Sequence, residues 1–401
     1  MLSSISKTTW FNWPVQTWVS IFLAASLLAL PLSSSAKSIL VVISLGLIVF
    51  SPTYRRDLLQ TLSEPWCQAA LFLFCVAVIA TAWSPAGLSA KGMVVEKYSK
   101  LLYLPVLAVG FRDAAARRLG LHGFLLAMLI TFVASALMYA GVYSMPDMEA
   151  GGIFRNHIMT GYMMAFAAYL SALLFYQQRG RVRILYALLT ALFSFHVLFI
   201  NNGRIGYVVY LLLMVLLMLQ LFSWRQAVVG IFFGSVMVVT MYFLSPVMQV
   251  EVNRVVTDCK QYINNEDKDT SIGYRLQFHD YAYSLFKRHP WLGNGTASFG
   301  HLYHVEDPIP SRGPKLTEPH SQYWLVASEL GVLGCFALAL FFGTLFISSW
   351  RLKTLRPIAL AVLLPFLAGN LSDSLLFYSG TGYFFILFMA LCLGEQAGKA
   401  K

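Results

Sequence analysis

Two arginines and one histidine are the residues here best suited to chemistry. Arg204 stands in FINNGRIGYVVY, Arg275 in SIGYRLQF and His320 in EPHSQYW. A guanidinium is permanently charged and presents a planar donor fork that matches phosphate. Imidazole is the side chain whose ordinary pKa lies nearest the working pH, which suits a general base. Together the three types would hold an anion and take up a proton. Each also has a plainer reading. Arg204 lies at the end of an apolar run, where an unpaired arginine costs roughly 2.5 to 3.5 kcal/mol at bilayer depth. It is therefore either a snorkelling anchor or the partner of an anion, and Asn201 and Asn202 beside it favour a polar cluster. Arg275 follows the cap candidates Thr270 and Ser271 at the start of a helical pattern, a position that already favours anions; the alternative is a solvated loop arginine. His320 follows Pro319 and precedes a helical run, so a capping role competes with a base. His279, His289, His301 and His304 lie nearby.

Other polar residues read more simply. Glu266, Asp267 and Asp269 form a solvated turn, because no second constellation completes a coordination shell; no metal site is expected. Glu329 lies inside an apolar run and is expected to pack or hydrogen-bond between helices. Asp373 has a similar setting, and Arg155, in GGIFRNHIMTGY, is a further candidate anion contact. The five cysteines are scattered and define neither a disulfide framework nor a ligand spacing.

These residues must be positioned by a membrane scaffold. The sequence is 58% hydrophobic and 12% charged, with mean hydropathy +0.66. Soluble domains carry about 25% charged residues, so the fold class is an all-α polytopic membrane protein. A span needs about 20 apolar residues, and the chain has room for about twelve. They are expected near 15–31, 38–50, 66–83, 101–111, 121–141, 158–176, 182–200, 205–222, 226–245, 320–349, 356–371 and 374–393. The fourth is short, and Lys97 and Lys100 are expected to snorkel at its start. The first run lacks a cleavage pattern and is read as a transmembrane helix.

The polar stretch 246–319 divides nine spans (1–245) from three (320–401) and reads as one large external loop with two helices. Alternate short segments hold fifteen lysines and arginines, Lys7, Lys399 and Lys401 among them, against six on the other side: Lys37, Lys91, Lys97, Lys100, Arg155 and Arg204. The positive-inside rule then places both termini in the cytoplasm and the loop outside. Topology accounts for most of the net charge of +11, and the loop's eight basic residues sit beside nine acids. A nucleic-acid role loses its support on that ground. No repeat is visible at half length, which argues against a two-halved transporter.

The order NNGRIGY, IGYRLQF, HPWLGNGTASF and EPHSQYWLVASELGVLG, over roughly residues 196 to 340, resembles the O-antigen ligase and polymerase superfamily of bacterial envelopes. The resemblance implies a membrane-embedded glycosyltransferase of the GT-C kind, facing the periplasm of a Gram-negative inner membrane. It implies a polysaccharide donor on undecaprenyl pyrophosphate and, for a ligase, a lipid A-core acceptor. The family's two arginines and histidine map to Arg204, Arg275 and His320, and its Trp-Leu-Gly-x-Gly element to Trp291, Leu292, Gly293 and Gly295. Tyr274, Tyr281, Tyr283, Trp291 and Tyr323 are candidates to stack on sugar rings, with interfacial anchoring as the alternative. Two permanent cations at a pyrophosphate leaving group make a reaction without metal or other cofactor the expected one. A polymerase using the same donor, a protein-glycosylating transferase of the superfamily, and a lipid or polysaccharide transporter are the rival readings.

Overall fold

A computed structural model describes residues 13–146 and 148–397, and every regular element among them is helical. Lys7, Lys399 and Lys401 lie outside the described residues. In chain order the helices are α1 (Val15–Leu32), α2 (Ser34–Phe50), α3 (Pro52–Thr61), α4 (Pro65–Ile79), α5 (Leu88–Tyr98), α6 (Lys100–Gly110), α7 (Ala114–Tyr139), α8 (His157–Gln177), α9 (Val182–Phe195) and α10 (Arg204–Leu221). They continue with α11 (Trp224–Leu244), α12 (Pro246–Ile263), α13 (Ser271–Arg288), α14 (Ser298–Glu306), α15 (Gln322–Trp350), α16 (Arg356–Gly369) and α17 (Ser379–Ala397).

Among the described residues, nine helices are long and apolar enough to cross a bilayer. The count is ten if α2 and α3, bent by 94° at Ser51–Pro52, act as one span. All twelve expected runs are helical, but α6 has 11 residues and α16 has 14, both short of a full crossing. The polar stretch holds three helices where two were expected. The third, α14, has only nine residues and lies between left-handed backbone at Ala297 and Asp307, too short for its periodicity to stand out.

Helix ends follow local sequence. Asp113, Asn156, Thr270 and Ser321 each accept a backbone N–H from the first turn of the adjoining helix, satisfying groups that have no partner within the helix. The core sits where α7, α8 and α17 meet: Phe124, Phe166, Phe384 and Phe388 pack with centroids 4.8 to 6.1 Å apart. By contrast, α11 buries only Ala227 along its length and lies at the periphery.

Polar contacts tie the helices together at both ends. At one end Arg117 donates to Gly394 O, and the Glu395 carboxylate accepts the N–H groups of Lys353, Thr354 and Leu355. At the other, Ser84 donates to Thr296 O, Ser245 to Leu198 O, and Asn201 to Gly151 O and His157 O. Lys100 belongs to this second end and corrects the snorkelling expectation. Its Nζ is turned inward, donating to Leu376 O at 2.7 Å and Tyr378 O at 3.1 Å. Tyr378 O also accepts Gly382 N–H from α17, and an ammonium with three donors serves it together with the Leu376 carbonyl.

Candidate functional site

Arg204 is placed by the turn before it. After α9 the chain makes one π-helical turn, His196–Ile200, and the buried Asn201 fixes the path into α10. Its Oδ1 accepts Gly203 N–H, and its Nδ2 bonds the backbone of the segment leading into α8. A Cβ on Gly161 would come within 2.5 Å of that Oδ1, so α8 approaches closely only because glycine is there. Arg204 thus opens α10 with its side chain half-buried. Its Nε donates to Glu251 Oε2 at 3.0 Å, and its Nη1 lies 3.6 Å from Asp258 Oδ2, both on α12.

Arg275 sits in the first turns of α13 and, with Arg204, lines a cavity of about 300 Å³. The other walls are mostly apolar: Ile205, Val208, Val209, Ile272, Leu276, Ala368 and Gly369. His279, one helical turn beyond Arg275 and on the same face, lines it too. Burial, and then the Arg275 charge, hold the His279 imidazole below its usual range. Its Nε2 is 3.4 Å from the carbonyl oxygen of His320.

His320 adopts left-handed backbone, φ 52°. That conformation costs a non-glycine residue about 1 to 3 kcal/mol and persists only where the surroundings fix it. Here its N–H donates to Glu318 Oε2 at 2.7 Å, and its ring stacks on Phe278 with centroids 5.9 Å apart. Its Nδ1 lies 3.3 Å from Asp373 Oδ1 and 3.3 Å from Glu318 Oε1. Ser374 Oγ and Tyr378 OH donate to the two Glu318 oxygens, and Ser374 N–H donates to Asp373. Ionised carboxylates only accept, so these contacts are attractive with the proton on Nδ1, which leaves the Nε2 lone pair free. Ligand atoms of Glu318, His320 and Asp373 fall within 4.8 Å of one another. The donors on both carboxylates fix them beside the imidazole.

The structure therefore gathers Arg204 and Arg275 on one cavity, with His320 behind its His279 wall. The other nominated residues lie elsewhere. Arg155 bonds Ser34 Oγ and Leu30 O, away from the cavity. Trp291 is 74% exposed and lines, with Gly293, Arg288 and His289, a separate hollow of about 680 Å³. Gly293 (φ 68°) and Gly295 (φ 94°) are explained by packing: a Cβ would fall 2.3 Å from the Glu329 backbone in one case and 2.5 Å from Ser84 Cα in the other. Tyr323 OH donates to Leu367 O, and Tyr274 stacks on Phe278. Glu329 accepts Phe299 N–H and so links α14 to α15. Sequence reasoning missed Glu251, Asp258 and Glu318. The first two are seven residues apart, two turns on one helical face, and that spacing was the available signal.

Helices of this length and apolarity, with a polar site gathered at one end, define a multi-pass membrane protein. Residues 189–339, from α9 through the loop into α15, match the family model described as O-antigen ligase. The comparison with curated proteins found no match.

Proposed function

We propose that the protein is an O-antigen ligase, transferring a polysaccharide from undecaprenyl pyrophosphate to a hydroxyl of lipid A-core oligosaccharide. The observation that carries this reading is the shared cavity of Arg204 and Arg275, whose apolar walls suit a polyprenyl tail. Two guanidiniums stabilise the negative charge that builds on a departing pyrophosphate without a metal. His320, with Nδ1 toward Asp373 and Glu318, takes the proton of the attacking hydroxyl at Nε2. The new bond forms at the anomeric carbon as the bond to the phosphate oxygen breaks, its electron pair leaving with the pyrophosphate. Attack opposite the leaving group inverts the anomeric centre.

In this reading the protein lies in a Gram-negative inner membrane with both termini cytoplasmic and the cavity periplasmic. The short helices α6 and α16 and the bent α2–α3 pair complete twelve segments of a GT-C-type architecture, with 1–245 and 320–401 flanking the loop domain 246–319. The test is transfer by purified protein with lipid-linked polysaccharide and lipid A-core, in excess chelator and without nucleotide. Product on lipid A-core is the expected result. Donor chains lengthened without acceptor labelling make the protein a polymerase, and no covalent product overturns the transferase reading.

A further inference from the structure

The arginine that opens the cavity is already occupied. Arg204 Nε donates to Glu251 Oε2 at 3.0 Å, and its Nη1 lies 3.6 Å from Asp258 Oδ2 while making no hydrogen bond of its own. Glu251 is buried and also accepts from the exposed Arg254 at 2.6 Å; Asp258 also accepts Ile272 N–H at 3.4 Å. A diphosphate seated against Arg204 would bring two negative charges beside two carboxylates in a largely apolar cavity. Like charges at such range are strongly unfavourable when partly desolvated. The carboxylates and the ligand therefore exclude one another.

The helix that carries them is thinly packed. Besides Glu251, α12 buries only Met248, and the helix before it, α11, buries only Ala227. The Arg204 contact is one of a few polar ties on α12, beside Ser245 to Leu198 O at its start, Ile272 N–H to Asp258, and Tyr262 to Asp280.

We infer that Glu251 and Asp258 are internal competitors of the donor's pyrophosphate, which displaces them from Arg204 on binding and is displaced by them after transfer. This rests on the donor reading above and adds to it a means of release. Transfer breaks the sugar–oxygen bond and converts a diphosphate diester, with two ionised oxygens, into a monoester with a third ionisable oxygen. The product is held by two arginines at least as strongly as the donor. Carboxylates tethered beside Arg204 compete at high effective concentration and let the product go.

The experiment measures binding of undecaprenyl pyrophosphate to the full chain in nanodiscs, for wild type, Glu251→Gln, Asp258→Asn and the double variant. Both substitutions keep side-chain shape and an acceptor oxygen. Binding about tenfold tighter or more is expected in the double variant, the scale of one charge-assisted contact, with donor KM lowered in step. The same pair of substitutions in an Arg204→Gln background should leave binding unchanged. Unchanged or weaker binding in the double variant overturns the inference, because acids that merely position Arg204 lose affinity when neutralised. Equal tightening without Arg204 also overturns it. If the double variant lacks a cooperative unfolding transition, Asp258→Asn alone decides by the same sign. Wild-type protein that fails to bind undecaprenyl pyrophosphate sinks the donor reading itself, a result distinct from wild-type binding that the variants do not tighten.

Discussion

His320 Nδ1 and Asp373 Oδ1 stand 3.3 Å apart across 53 residues of sequence, and Glu318 approaches the same nitrogen from its own turn. A histidine oriented in this way presents one defined lone pair, and losing the acceptor frees the wrong tautomer. Asp373→Asn is therefore expected to lower the transfer rate by about 10² or more at unchanged donor affinity, the scale of a mispositioned general base. Rates at saturating donor check this; a loss confined to KM would place Asp373 in binding instead.

The proposed leaving-group role of Arg204 and Arg275 calls for a fork and not only a charge. Lysine at 204 or 275 keeps the cation but cannot grip two phosphate oxygens in one plane. Arg204→Lys and Arg275→Lys should each reduce transfer by about 10² while the protein still inserts and melts as wild type, the scale of a lost oxyanion donor. Activity within threefold of wild type for either would remove that arginine from the leaving-group site.

Gly293 tests whether the Trp-Leu-Gly-x-Gly element is structural. Its φ is 68°, and a Cβ would strike the Glu329 backbone at 2.3 Å, so Gly293→Ala combines backbone strain with a clash. Destabilisation of about 2 to 4 kcal/mol is expected. Gly313, with φ 76° in open space, has strain alone, and Gly313→Ala should cost about 1 kcal/mol. Thermal melts of the two variants in parallel give the comparison.

How much of the molecule is legible in the sequence depends on the range of the interactions involved. Apolar runs and end residues such as Asp113 and Thr270 act locally, so helices can be placed from the sequence. Arg275 and His279 share a helix face by spacing alone. What cannot be read is which distant segment meets each polar group. Nothing around Lys100 says that it reaches the carbonyls of 376–378, and nothing in EPHSQYW says that Asp373 faces the ring. The span count is less legible for a related reason: apolarity reports burial as well as lipid contact, and α6 and α16 are apolar and largely buried while each is short for a crossing.

A pH effect on stability arises in the loop. Arg288 forks onto Glu306, to which Tyr281 also donates, and these hydrogen bonds hold the Glu306 carboxyl below its usual range. A depressed carboxyl pKa contributes stability above its unfolded value, near 4.3, and that stability is lost as pH falls through the lower folded value. Amide protection across α13 and α14 should decline in that window. Arg288→Gln should lose protection at neutral pH and show a smaller further decline in acid. Identical acid profiles for the two proteins would remove this pair as the cause.

Lys100 gives the last prediction. Its ammonium serves the carbonyls of Leu376, Phe377 and Tyr378 in the segment that also supplies Asp373, Ser374 and Tyr378 to the Glu318–His320 network. Lys100→Met keeps the length of the side chain and removes every donor. Tyr378 O keeps Gly382 N–H, but Leu376 O and Phe377 O lose their donor, and each buried carbonyl left unpaired costs about 1 to 3 kcal/mol, so the segment should relax away from its present path. The Glu318 and Asp373 contacts to His320 would loosen with it. Transfer is then expected to fall at least tenfold at saturating donor with a smaller change in donor KM, because both cavity arginines stand on α10 and α13 and only Ser372 of that segment lines the cavity. Lys100→Arg, which retains donors at nearly the same reach, should recover part of the rate. A rate unaffected by Lys100→Met would mean that the Asp373 segment holds its shape without the ammonium.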